Sequence, residues 1–300
     1  MLLTLAATSL ASKLKPSKGG GGGKAALTLT DIPRFAREQL DLHGMVLSTS
    51  LLVGADRALL QKVVEAADKA GCPCLALIES TPQPVADPDK AGPASERILR
   101  VVQAAHWLGC NSVAIPVEAP DDEEAMSDAA EVLRPILRRA EKLELNLCIA
   151  SGKGLTGKAE RVTELLKKVG GFRIGTLPDF DSAAASPEAG AYLRRLVPYA
   201  SAVLASAHEF APAGKKGSGG GAGGWSHKPF DLVEYVKTVS MVGFDGALAI
   251  DYRGDGDPVE EIAKARDMIR TVIGGGTLIE DEDELDDVVV PEDAEKDDEG

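Results

Sequence analysis

Eight apolar runs of strand length recur along the chain and constrain its fold more than any other feature. They are LLTLAATS from residue 2, GMVLSTS from 44, CLALIES from 74, SVAIPVE from 112, LNLCIAS from 145, FRIGTLPDF from 172, SAVLASAHEF from 201 and ALAIDY from 247. Between them lie segments such as DRALLQKVVEAADKAG and SERILRVVQAAHWLG, with apolar residues at i, i+3, i+4 and i+7, which read as amphipathic helices. Asp56 and Ser95 are placed as N-caps, and Gly71 and Gly109 fall just past the last periodic residue. Strands that alternate with helices pair in parallel through crossovers. Eight such units of about 30 residues each predict an α/β fold, a closed (β/α)8 TIM barrel. A doubly wound open sheet competes, but its first loop usually carries G-x-G-x-x-G, and here that loop is KPSKGGGGGKAALT.

Charge separates the chain into two parts. The formal net charge is -14, yet residues 279–300 hold thirteen Asp and Glu against Lys296 alone, which leaves the rest at about -2. The expected organisation is therefore a barrel over 1–276 and an acidic, disordered tail over 277–300 that either contacts a basic partner or serves solubility. Glycine-rich stretches at 19–23 and 214–224 read as flexible loops on the face where barrels keep their sites. The second lies beside Lys215 and Lys216 but lacks the G-x-x-x-x-G-K-[ST] phosphate cradle. No basic stripe remains for nucleic acid, and aromatic residues make up only 4% of the chain. The apolar start, MLLTLAATSL, has no positive charge before it and reads as a first strand, with a signal h-region as the alternative. No run of about 18 apolar residues predicts a membrane span. Cys72, Cys74, Cys110 and Cys148 lie in or beside apolar runs, as buried reduced thiols of a cytoplasmic protein do.

In a barrel, function collects at the C-terminal ends of the strands. Those ends here offer Ser48 to Ser50, Glu79, Glu118, Ala150 and Ser151, Asp179, Leu204 to His208, and Asp251. Carboxylates from several strands suit a divalent metal or the flanks of a sugar. Each one singly also suits a helix cap. His227 reads as a loop or cap residue, and His43 and His106 as helix-end or helix-face residues.

KAGCPCLALIES, AAHWLGCNSVAIPV, EKLELNLCIASGKGLT, KKVGGFRIGTLPDF and VGFDGALAIDYRGDGDP together resemble the sugar phosphate isomerase/epimerase family, the barrels related to xylose isomerase. The resemblance spans most of residues 27–273. It implies a metal held by Glu on strand five, Asp on strand six, His on strand seven and Glu on strand eight, with the two Glu residues moving a proton beside a carbonyl. Carried onto this chain, those positions are Ala150, Asp179, Leu204 and Asp251, and companion His and Lys positions are Ser182 and Ser206. The resemblance thus implies Asp179 and Asp251 as ligands of Mn, Mg or Zn and Asp251 as the catalytic base. His208 stands in as a further ligand, and Glu79 and Glu118 as groups recruited to bind a sugar or sugar phosphate. Two readings follow: an isomerase or epimerase completed by recruited groups, and a catalytically inactive barrel with a sugar-binding or protein-interaction role.

Overall fold

The computed structural model describes residues 1–14, 27–213 and 224–274. The glycine runs at 19–23 and 214–223 and the acidic tail lie outside the described residues.

Eight parallel strands form one curled sheet: β1 (Leu2–Ala6), β2 (Met45–Ser48), β3 (Cys74–Ile78), β4 (Ser112–Pro116), β5 (Asn146–Ala150), β6 (Ile174–Leu177), β7 (Ala202–Ala207) and, eighth in the ring, β10 (Ala247–Tyr252). The hydrogen-bonded order runs from β6 down to β1, then to β10 and β7. Parallel bridges Thr176 to Ala200 and Asp179 to Leu204 close the ring, and the Leu204 N–H donates to Pro178 O at 2.9 Å. The architecture is thus the (β/α)8 barrel that the alternating pattern predicts, with a seam between β6 and β7.

The helices α1 (Ile32–Glu38), α2 (Arg57–Ala70), α3 (Ala91–Trp107), α4 (Glu123–Lys142), α5 (Ala159–Val169), α6 (Phe180–Ala185), α7 (Ala189–Leu196), α8 (Leu232–Met241) and α9 (Pro258–Ile273) cover the outside of the ring. Aspartates start several of them: Asp56 accepts from Leu59 N, Asp122 from Ala125 N and Asp231 from Glu234 N, each satisfying a donor that the first helical turn leaves free. Gly71, at φ 61°, ends α2 as its position predicts. Ser95 does not cap α3, which begins a turn earlier at Ala91, so Ser95 lies inside the helix. The run SAVLASAHEF is also not one strand. β7 stops at Ala207, and Glu209–Pro212 leaves the barrel as β8, paired antiparallel with β9 (Trp225–Lys228). Among the described residues, no helix is long and apolar enough to cross a membrane.

Alternation along the strands divides the apolar side chains between two cores. Leu5, Leu47, Leu77, Ile115, Leu147, Val203 and Ile250 face the helices, against Ile98, Leu133 and Ile269. The barrel interior is packed with smaller groups, including Ala6, Val46, Ala76, Ala114, Cys148, Ala150, Ala202 and Ala249, with Leu177 and Leu204 as its larger members. All four cysteines are buried and free.

Close packing at the seam depends on Gly175 of β6, where an added Cβ would stand 2.4 Å from Tyr199 O. Backbone cannot yield as a flexible side chain can, so Gly175→Ala is expected to lower unfolding stability by about 1–3 kcal/mol. Urea denaturation of the two proteins measures it.

Candidate functional site

Strand parity brings Asp179, Ser206 and Asp251 to the mouth of the barrel. Ser206 pairs in register with Asp251 between β7 and β10, and Asp179 stands opposite Leu204 across the seam. Asp179 also caps the short helix α6, accepting from the Asp181 N–H at 3.1 Å and from the Ser206 hydroxyl. Asp251 is buried at the end of β10 and accepts from the Thr8 hydroxyl at 3.1 Å.

A single guanidinium organises these acids. Arg253 donates from Nε and Nη2 to Asp251 Oδ2 at 2.9 and 2.7 Å, from Nη2 to Asp179 Oδ2 at 2.9 Å and from Nη1 to Asp181 Oδ2 at 2.7 Å. Its backbone N–H is bound to Ala207 O at 2.8 Å, which anchors the residue on the end of β7. Burial opposes the Arg253 charge, but Asp251 and Asp179 more than offset that and hold the guanidinium above its ordinary value. Burial pushes the Asp251 carboxyl above 3.8, against the pull of Arg253 and Thr8 and with the Asp179 charge adding to the rise.

His208, the first residue beyond β7, presents Nε2 to Asp181 Oδ1 at 2.8 Å. Facing a carboxylate, that nitrogen carries the proton. Because the strand ends at Ala207, His208 meets the acid cluster through Asp181. A second histidine secures this turn: His227 on β9 accepts the His208 N–H at Nε2 (2.9 Å) and donates from Nδ1 to Phe230 O (2.9 Å). Far from being a loop or cap residue, His227 is buried, with its ring 4.6 Å from that of Phe230.

Of the residues singled out in the sequence, the structure brings Asp179, Asp251 and His208 into one network and places Glu79 and Glu118 elsewhere. Glu79 is buried at the end of β3, where its carboxylate accepts from Thr49 Oγ1 (3.1 Å), Thr81 N (3.0 Å) and Arg97 Nε (2.7 Å). Glu118 is exposed beyond β4, with its N–H on Gln83 O. Asp181 and Arg253 carry no mark in the sequence reading. For Arg253 the available signal was spacing, since it lies two residues beyond Asp251 at the end of β10; Asp181 lies in the first turn of α6, where strand parity no longer applies.

A divalent metal does not fit this arrangement. Ala150 and Leu204 offer no donor, the carboxylates of Asp179, Asp181 and Asp251 are engaged by Arg253, and among the described residues no group of three or more His, Cys, Asp or Glu is placed to hold an ion. Beside the cluster, His208, Tyr252, Arg253, Gly254, Gly256 and Glu261 line an open cleft of about 400 Å³. Glu261 Oε2 is buried at this cleft with no hydrogen-bond partner among the described residues.

The sequence profile of the xylose isomerase-like TIM barrels matches residues 39–272. No curated protein sequence matches the chain. Among solved structures, an L-ribulose 3-epimerase superposes with a TM-score of 0.69 at 14% identity, covering 94% of this chain and 99% of its own. A D-psicose 3-epimerase of Clostridium cellulolyticum H10, crystallised with D-tagatose, superposes with a TM-score of 0.63 at 13% identity (89% and 91%). The IOLI protein, whose structure holds a zinc atom, gives 0.67 at 12% identity (92% and 99%).

Two outcomes test the geometry. His227 is held below its ordinary value of 6.5, chiefly by burial, with His208 adding to the effect and Phe230 O, Asp181 and Asp231 opposing it. The folded state therefore favours the neutral ring, and the stability this contributes is complete above pH 6.5 and is lost as pH falls through the folded value. The protection of the β8–β9 hairpin amides, measured against the intrinsic exchange rate at each pH, is expected to fall on acidification below 6.5, and that fall to be absent in His227→Gln. Separately, Glu79→Ala strands the donors of Thr49 and Thr81, and its expected cost is about 1–3 kcal/mol by thermal or urea unfolding.

Proposed function

Because the chain belongs to the xylose isomerase-like TIM barrel family, we propose that it binds a small sugar at the mouth of the barrel without the metal-assisted proton transfer that a complete ligand set would support. The observation that carries this reading is the tie of Arg253 across Asp179, Asp181 and Asp251. A metal-assisted step needs carboxylates free to coordinate, and an epimerisation needs two positioned groups on opposite faces of the carbon. Ala150 leaves one of those positions without any ionisable group.

The cleft favours a neutral ligand rich in hydroxyls. Glu209, Asp255 and Glu261 line this cleft with Arg253, whose charge is already met by three aspartates, so a phosphate would meet net negative charge. The volume lies within the usual range of about 300–1,000 Å³ for small-molecule sites. This narrows the ligand from sugars and sugar phosphates in general to unphosphorylated sugars.

A second reading has a specific observation in its favour. Burial raises the Asp251 carboxyl, the direction in which a general base is tuned toward neutrality, and Arg253 beside it is a cation able to stabilise an enediolate. In that case the protein would isomerise a sugar without metal.

One experiment separates them. The protein is incubated in D2O with D-fructose or D-tagatose, with and without manganese, and binding and carbon-bound deuterium are followed by NMR. Saturable binding of the sugar, weaker or absent for fructose 6-phosphate, with no deuterium incorporated, is the expected result. Deuterium incorporation that is independent of metal and lost in Asp251→Asn establishes the second reading. Incorporation that requires manganese overturns both.

A further inference from the structure

We propose that Arg253 is a built-in cation occupying the place of a divalent metal, so that the native protein keeps metal out of the Asp179, Asp181 and Asp251 cluster and acquires a metal site when this arginine is removed. The inference rests on the reading above that the barrel mouth uses no resident metal, and extends it to a cause.

Arginine meets its partners here much as an ion meets its ligands. Asp179 Oδ2 and Asp251 Oδ2 lie 2.9 and 2.7 Å from one nitrogen, Nη2, and Asp181 Oδ2 lies 2.7 Å from Nη1. Divalent cations hold carboxylate oxygens at about 2.0–2.6 Å, so a contraction of a few tenths of an ångström would bring two of these oxygens to an ion centred near Nη2. Four donor contacts, one from Nε, one from Nη1 and two from Nη2, use all but one of the five guanidinium N–H groups. The guanidinium is thus committed to the cluster.

The residue is also held in place. Its backbone N–H is bound to Ala207 O at 2.8 Å, and Arg253 follows Asp251 on the face that points to the mouth. The tie spans the seam of the barrel as well, joining the end of β10 to the β6–α6 junction over the end of β7. A divalent ion could perform that joining with the same carboxylates, which is why loss of the arginine leaves a vacancy of matching charge.

The test compares full-length wild type, Arg253→Met, Arg253→Lys and the double variant Arg253→Met with Asp251→Asn. Manganese binding is followed by calorimetry, and melting temperature is measured in EDTA and in manganese. The acidic tail is present in all four proteins, so differences among them report on the cluster alone. Expected are one site in Arg253→Met at least about tenfold tighter than anything in wild type, its loss in the double variant, a melting temperature that manganese raises only in Arg253→Met, and no manganese site in Arg253→Lys, whose ammonium keeps a positive charge at the cluster. If Arg253→Met is unfolded in EDTA, manganese is expected to restore its fold, and failure to do so overturns the inference. A folded Arg253→Met that gains no manganese site overturns the inference while leaving the sugar-binding reading in place. Tight manganese binding by wild type that Asp251→Asn abolishes overturns both.

Discussion

Three carboxylates at the mouth of this barrel stand around one guanidinium, and the arrangement of the mouth depends on that cation. Two like charges about 4 Å apart repel by roughly 4 kcal/mol at the effective dielectric of a protein surface, so Asp179, Asp181 and Asp251 would not share this space uncompensated. Arg253 meets each of them with N–O distances of 2.7–2.9 Å. A planar fork with several fixed donors suits such a cluster better than the single rotatable ammonium of lysine. The contact also has an architectural side. β6 and β7 meet through isolated bridges, whereas the other neighbouring strands share ladders, and Arg253 lies across that weaker joint.

Support for the cluster comes from outside the barrel. The β8–β9 hairpin leaves the ring as soon as β7 ends and returns His227 to the backbone of His208. His227 is packed among Phe210 and Phe230, and the Phe230 ring is stacked 4.8 Å from Tyr235 of α8. His208 thereby takes a fixed direction toward Asp181. The tautomer of His227 follows from its two partners, an N–H on one side and a carbonyl on the other. Burial keeps that ring neutral against the hydrogen bond to Phe230 O, which favours the charged form.

A shared fold does not by itself determine the chemistry of the mouth, for a physical reason. The ring is held by strand ladders and by the apolar layer between strands and helices, and neither depends on which polar groups crown the strands. Ala150 and Leu204 belong to the inner packing, where a methyl or isobutyl group is as acceptable as a ligand side chain. A barrel can therefore keep its scaffold while its mouth changes chemistry, and function must be argued from the mouth.

The periodicity of 2 and 3.6 in the sequence was enough to determine eight parallel strands with their helices, because burying one face of each element leaves little choice once the pattern is set. The strand ends it set out included Asp179 and Asp251. The start of α3 escaped it, because Ser95 has the chemistry of a cap while the helix begins at Ala91 with no side-chain cap, continuing a turn in which the Lys90 and Ala91 N–H groups donate to Asp87 O. So did the end of β7, since no glycine or proline marks SAVLASAHEF at the point where β8 departs. Glu79 and Glu118 show the same limit. Both stand at strand ends, yet Arg97 and Thr49 take up the first and solvent the second. The pairing of Arg253 with Asp179 and Asp181 spans more than seventy residues of chain. No local spacing encodes such a contact, and only closure of the ring, which brings the ends of β6, β7 and β10 together, decided that the cation at this mouth would be an arginine.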